Sequence, residues 1–189
     1  MKIVVGVSGA SGSIYGLRLL QKLRAASTAE IHLIVTRSAE KTLYLETAKK
    51  LAELKELAHY FYGIEDIGSR LASGSFQTDG MVIAPCSIHT MSAIAAGISS
   101  NLLIRAADVS LKERRRLILM VRETPLHLGH LRTMVSLAEM GAIIAPPMPA
   151  FYSKPETVMD IVDASVDRAL DLLQLPSESA RRWDGAKVQ

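Results

Sequence analysis

The sequence predicts an α/β protein: a single domain built on one doubly wound parallel sheet with helices on both faces. Three observations predict it. Short apolar runs alternate with longer amphipathic segments, the pattern of successive strand–helix units. The short runs are continuously apolar rather than alternating, as strands buried on both faces are. The 189 residues, 49% hydrophobic and 22% charged, suffice for one sizeable core.

Taken in order, Ile3 to Val7 reads as a first strand, followed by a helix from about Ser13 to Ala25. Ile31 to Val35 is the second strand, and a helical stretch begins near Ala39. The stretch from about Lys49 to Gln77 is less regular and is assigned only loosely. Met81 to Ala84 is a strand closed by Pro85, and Ile88 to Ala96 looks helical. Leu117 to Val121 is a strand and His127 to Met140 a helix. Ala142 to Ala145 is a last strand stopped by Pro146-Pro147, and Pro155 to Leu173 is a long terminal helix. The arrangement is of the Rossmann/flavodoxin-like kind. The domain is expected to span 1–175, with 176–189 a polar tail. Trp183 in that tail is expected to pack on this chain, a neighbouring subunit or a ligand.

Composition narrows the function. No run of eighteen apolar residues occurs, so no membrane span is expected. Met1 to Gly6 is too short and too soon interrupted for a signal peptide. Cys86 is the only cysteine, which rules out an internal disulfide and a cysteine-rich zinc site and points to the cytoplasm. The net charge of +3 does not argue for nucleic acid, but it suits a small anionic substrate if focused in one cleft.

In open α/β sheets ligands bind beyond the carboxyl ends of the strands, and the distinctive polar residues fall there. Strand one ends in Ser8-Gly9-Ala10-Ser11-Gly12-Ser13 and strand two in Thr36-Arg37-Ser38. The next ends in Pro85-Cys86-Ser87-Ile88-His89-Thr90, then come Arg122-Glu123-Thr124-Pro125 and Pro146-Pro147. The Gly9–Ser13 turn lets backbone approach an anion, and the helix after it offers free N–H groups and the positive end of its dipole. A capped helix start without ligand explains the same residues. The turn lacks the full G-x-G-x-x-G of dinucleotide binders and the Lys of a P-loop, which favours a mononucleotide.

Ser87 and Thr90, three apart, can face one ligand, or Ser87 can simply cap its helix. Cys86 reads as packing rather than nucleophile, and His89 as a surface or structural histidine. His127 and His130 make no zincin motif, because no Glu follows the first. If Asn101 to Arg116 is helical, Arg105, Asp108 and Lys112 share a face. Apolar residues surround Arg105 and Lys112, so their charges are expected to have specific targets, whereas Arg114 to Arg116 read as a solvated face. Arg122-Glu123 at a strand end can bind a phosphate and handle its proton.

In this order the segments resemble the UbiX/phenylacrylate-decarboxylase-associated family of flavin prenyltransferases. The stretches that carry it are Gly9-Ala10-Ser11-Gly12, Leu45-Glu46-Thr47, Ala72 to Phe76, Met81 to Ser87, Arg105 to Val109 and Leu111 to Arg115. Val121 to Leu126, Pro146 to Tyr152 and Arg182-Trp183 complete the set. The resemblance implies metal-independent transfer of dimethylallyl from dimethylallyl monophosphate to reduced FMN. A fourth ring forms between flavin N5 and C6, and the prenylated FMN passes to a separate UbiD-type decarboxylase. It implies FMN contacts at Gly9, Ala10, Ser11, Thr36, Ser87, Ile88, His89, Thr90 and Arg122. Tyr152 and Arg168 would bind dimethylallyl phosphate. Glu46, Arg105, Lys112 and Glu123 would complete the phosphate side, some from neighbouring subunits of a homododecamer. The chain departs from the family at Ile67, near which some members carry Trp, and at His89, where close relatives often have Lys.

Three other readings share parts of this pattern. An FMN-dependent cysteine decarboxylase has a similar flavin site, but it uses an early catalytic His and a Pro-Ala-Ser-Ala-Asn-Thr turn. Here His32 lies within a strand, and the turn at Pro85 to Thr90 has no Asn. The others are a non-catalytic flavin carrier and a stand-alone aromatic-acid decarboxylase.

Overall fold

The computed structural model describes residues 1–175 and Gly185. The first half of the chain forms β1 (Lys2–Val7), α1 (Ser13–Ala26), β2 (Glu30–Val35), α2 (Arg37–Thr47), α3 (Leu51–Leu57) and β3 (Tyr60–Tyr62). The second half forms β4 (Gly80–Cys86), α4 (Ile88–Ala95), α5 (Leu102–Lys112), β5 (Arg116–Val121), α6 (Leu128–Glu139), β6 (Ile143–Ile144) and α7 (Val158–Leu172). All strand pairs are parallel, in the order β3-β2-β1-β4-β5-β6. The chain winds outward from β1 to β3 and then returns to start β4 on the other side of β1. The order therefore reverses between β1 and β4, and a crevice opens beyond their carboxyl ends.

Side-chain alternation splits the core across the sheet. Ile3, Val5 and Val7 of β1 pack with Leu19, Leu20 and Leu23 of α1, Leu43 of α2, Leu54 of α3 and Val166 of α7. Val4, with Ile34, Met81 and Ile83, packs on the other face with Met91 of α4, Leu103 of α5 and Leu137 of α6. No described helix is long and apolar enough to cross a membrane.

Several expected boundaries shift. β4 does not close at Pro85: it runs on to Cys86 through a register irregularity after Ile83. Val82 and Ala84 face the α1 side, and strict alternation would put Cys86 there too; the irregularity instead turns Cys86 to the face of Ile83. The last strand shortens to Ile143–Ile144. α7 starts at Val158 rather than Pro155, because Thr157 and Asp160 form a reciprocal capping box there. α2 starts at Arg37, where Thr36 caps it by accepting from Ala39 N. Tail residues 176–184, Trp183 among them, lie outside the described residues.

Helices α1 and α7 are joined by charge. Arg18 Nε lies 2.5 Å from Asp163 Oδ1, and Lys22 Nζ lies 2.5 Å from Asp167 Oδ1. The Arg18 hydrogen bond holds the Asp163 carboxyl below its usual range, with Lys22 assisting. A lowered native pKa means that this pair stabilises the fold above the ordinary carboxylate range; the contribution is lost as the pH falls through the native value.

Candidate active site

Four loops meet at the crevice, and their backbones are tied together. Ser8 is fully buried. Its Oγ donates to Pro85 O at 2.9 Å and accepts from Ser87 N at 2.8 Å, joining the ends of β1 and β4. Arg122 N donates to Cys86 O at 3.1 Å, which adds the end of β5. The ends of β1 and β2 touch at Gly9, where a Cβ would come 2.2 Å from Ser38 Oγ. Gly12 lies in the left-handed region at φ 101°, where glycine is favoured, and α1 starts directly after it. One turn on, a Cβ at Gly16 would come 2.4 Å from Ala84 O, so α1 lies close against β4. Gly16 was not singled out from sequence; a Gly one turn into a helix was the signal available.

Ser87 and Thr90 are bonded to each other: Ser87 Oγ accepts from Thr90 N at 3.2 Å and donates to Thr90 Oγ1 at 3.1 Å. Thr90 is buried, Ser87 and Ile88 are half-buried, and His89 is exposed. Gly9, Ser11, Ser38, Arg122 and Glu123 are exposed around them, with Ala10 and Thr36 half-buried. Arg122 makes no ion pair among the described residues. Glu123 accepts from its neighbour Thr124 N at 2.9 Å.

The free N–H groups expected at the start of α1 are occupied. Glu46, at the end of α2, accepts from Gly12 N at 2.9 Å and from Ser13 N at 2.8 Å. Partial burial pushes its carboxyl up, but hydrogen bonds from Ser11, Ser13 and Gly12 outweigh that and hold it below the usual range. The helix start is thus an anion site filled by the chain's own carboxylate. Cys86 is inert: burial pushes its thiol up to about 12.

Tyr152 and Arg168 come together. They line one cleft of about 500 Å³ with Met120, Pro146 and Met148, between α7, β5 and the segment after β6. Arg105 and Lys112 do not join them. Arg105 pairs with Asp108 at 2.6 Å and donates to Ala72 O at 3.1 Å, while Lys112 pairs with Glu113. Lys112 ends α5 just before β5 begins at Arg116, at the amino edge of the sheet. It is therefore separated from the crevice by the length of a strand, about 20 Å. Its neighbour Glu113 lines a different hollow of about 880 Å³ at that edge, with Lys2, Asp79 and Arg115.

A sequence model of the family described as Flavoprotein matches residues 1–170. The Escherichia coli (strain K12) protein named "Flavin prenyltransferase UbiX" is 52% identical over 187 residues, which are 98% of this chain and 99% of that one. The chain belongs to the UbiX-type flavin prenyltransferase family. Two solved structures agree. AnUbiX (PadA1), in complex with FMN and dimethylallyl pyrophosphate, matches with TM-score 0.96 and 44% identity over 98% of each chain. A dodecameric FMN-dependent UbiX-like decarboxylase from Escherichia coli O157:H7 matches with TM-score 0.96 and 46% identity, covering 98% of this chain and 100% of that one.

The expectation that a flavin lies beside Ser11 has a direct test. Ser11→Leu is expected to weaken FMN binding by about tenfold or more while the fold survives, because the side chain is exposed and no core contact is lost. Flavin fluorescence titration measures it, and unchanged affinity would place the flavin elsewhere. The cysteine-decarboxylase reading loses its histidine. His32 is fully buried, bonded to Tyr62 and Glu30, and burial lowers its pKa.

Proposed function

We propose that the chain transfers dimethylallyl from dimethylallyl monophosphate to reduced FMN, with new bonds at flavin N5 and C6, and that prenylated FMN then passes to a UbiD-type decarboxylase. The observation that carries this reading is the crevice between the carboxyl ends of β1 and β4, where the strand order reverses and the ends of β1, β4 and β5 are tied together. Tyr152 and Arg168 line a second cleft, between α7, β5 and the segment after β6. The solved relative that holds FMN and dimethylallyl pyrophosphate together supports it.

The crevice fits a flavin mononucleotide. Gly9 keeps its floor free of a side chain, and the exposed Arg122 guanidinium and the Thr36 and Ser38 hydroxyls are donors suited to a phosphate monoester. Gly9, Ala10, Ser11, Thr36, Ser87, Ile88, His89, Thr90 and Arg122 would hold it. Bound and reduced, FMN supplies the nucleophilic ring positions. Arg168 and Tyr152 hold the donor phosphate, and the tyrosine ring offers a π-face to the allylic cation. Glu123 carries the proton of the departing phosphate. Glu46, an anion held by three donors, orients Ser11 and the start of α1 and is the poorer proton carrier of the two.

Arg105 and Lys112 enter from a second copy of the chain, where their charges offset that of the leaving phosphate. The distance of Lys112 from the crevice of its own chain supports this, as does the dodecameric relative. These cations take the part that magnesium plays in many prenyltransferases. Phosphate release from dimethylallyl monophosphate, with reduced FMN and excess EDTA, is therefore expected at the untreated rate. Loss of activity restored by magnesium would overturn the metal-independent reading.

A further inference from the structure

The run His127-Leu128-Gly129-His130 takes no part in the reading above, yet its geometry is specific. Helices are usually capped by Ser, Thr, Asp or Asn. Here His127 caps α6: its Nδ1 accepts from Gly129 N at 3.0 Å and from His130 N at 3.4 Å. Gly129 makes room for the ring, since a Cβ there would come 2.8 Å from His127 Cε1 and 3.0 Å from Nδ1. The His130 ring lies on that of His127, with centroids 3.6 Å apart and planes at 31°. His130 Nδ1 is buried with no hydrogen-bond partner among the described residues.

The cap holds the segment that carries Arg122 and Glu123. Residues 122–129 are all exposed, so core packing does not fix them. At one end Arg122 N is anchored to Cys86 O; at the other stands the His127 cap. Between them the recorded bond is the local one from Thr124 N to Glu123. We propose that His127 is a positioning residue for prenyl transfer, whose neutral imidazole caps α6 and so sets Glu123 against the donor phosphate. This rests on the assignment of Glu123 to that phosphate.

An acceptor at Nδ1 requires the neutral ring to carry its proton on Nε2. A second proton turns Nδ1 into a donor facing two N–H donors and puts a cation at a helix N-terminus. The cap therefore fails on the acid side. His130 stacks on it, and the other titratable and charged groups on its loop and on the nearby turns of α6 and α4, which packs against α6, are Arg122, Glu123, Arg132 and His89. β6 offers none. Of these only Glu123 favours a charged ring, and no ion pair to His127 is formed among the described residues.

Single-turnover transfer on FMN-loaded enzyme, followed from about pH 5.5 to 8 where imidazole titrates, tests the proposal. His127→Ala is expected to be about tenfold slower. His127→Asn, whose side-chain oxygen can cap but cannot titrate, should stay within about threefold of wild type and lose the wild-type fall in rate at acid pH. Gly129→Ala, which drives a methyl into the ring, should match His127→Ala. Glu123→Gln/His127→Ala should be no slower than Glu123→Gln alone. A wild-type rate in His127→Ala overturns the proposal, as does failure of His127→Asn to rescue or to lose the acid limb. Equal slowing by His127→Ala in the Glu123→Gln background overturns it too, by showing that His127 acts elsewhere. A wild-type rate in Glu123→Gln itself removes the parent assignment and the proposal with it.

Discussion

Glu123→Gln is expected to bind FMN with wild-type affinity and to transfer the prenyl group at least about tenfold more slowly, within the hundred- to ten-thousand-fold range of positioned proton transfer. The proposed flavin contacts are assigned to other residues, so affinity should hold. The structure sharpens what the substitution reports. The recorded bond of Glu123 is one accepted from Thr124 N, and a glutamine carbonyl oxygen accepts the same bond. The loop is therefore preserved, and what the variant loses is the ionisable group. A carboxylate beside a phosphate is repelled unless one of them holds a proton, so the two should share one. Single-turnover kinetics on fully loaded enzyme is the measurement. A wild-type rate there would show that Glu123 carries no proton, and a joint loss of affinity, stability and rate would show that it only holds the loop.

Gly16→Val is expected to lower stability by about 3 kcal/mol, the upper end of overpacking penalties, and to weaken FMN binding as a consequence. The new Cβ would stand 2.4 Å from Ala84 O and 3.2 Å from Val7 Cγ2. The first of these atoms is backbone in the central strand of the sheet and cannot swing aside. Either α1 lifts or the end of β4 shifts, and that end carries Cys86 and Ser87 to the crevice. Helix propensity offsets little, since Val is only a few tenths of a kcal/mol better than Gly. At about 2–4 °C per kcal/mol for a chain of this size, the thermal midpoint should fall by about 6–12 °C at fixed protein concentration. An unchanged midpoint would mean that the helix and strand are not in contact there.

The strands that could be read directly from sequence were those whose burial is symmetric. β1, β2 and β5 are runs of Val, Ile, Leu and Met with helices on both faces, and β4 shows the same signal until its register shifts near Pro85. β3 was hidden because it is three residues long at the sheet edge. What secures its neighbourhood is long-range: Arg70 lies over Tyr60 and bonds Tyr62, and Leu102 N donates to Ile64 O. At the site, polar residues after apolar runs pointed to the carboxyl edge of the sheet, where the strand order reverses between β1 and β4. The interaction of Glu46 with the start of α1 spans more than thirty residues and leaves no local pattern. Lys112 was placed with the phosphate-binding residues by resemblance, and only the topology shows that its own crevice is at the opposite edge of the sheet.

The account's central claim is that the crevice is a place where a flavin is alkylated. It is tested most directly by the mass spectrum of the flavin after wild-type enzyme has been incubated with reduced FMN and dimethylallyl monophosphate in excess EDTA. The account predicts a flavin heavier by one isoprene unit, formed in smaller amount at limiting FMN when Ser11→Leu replaces the wild type. FMN recovered at its original mass, from enzyme shown to bind both compounds, would contradict it.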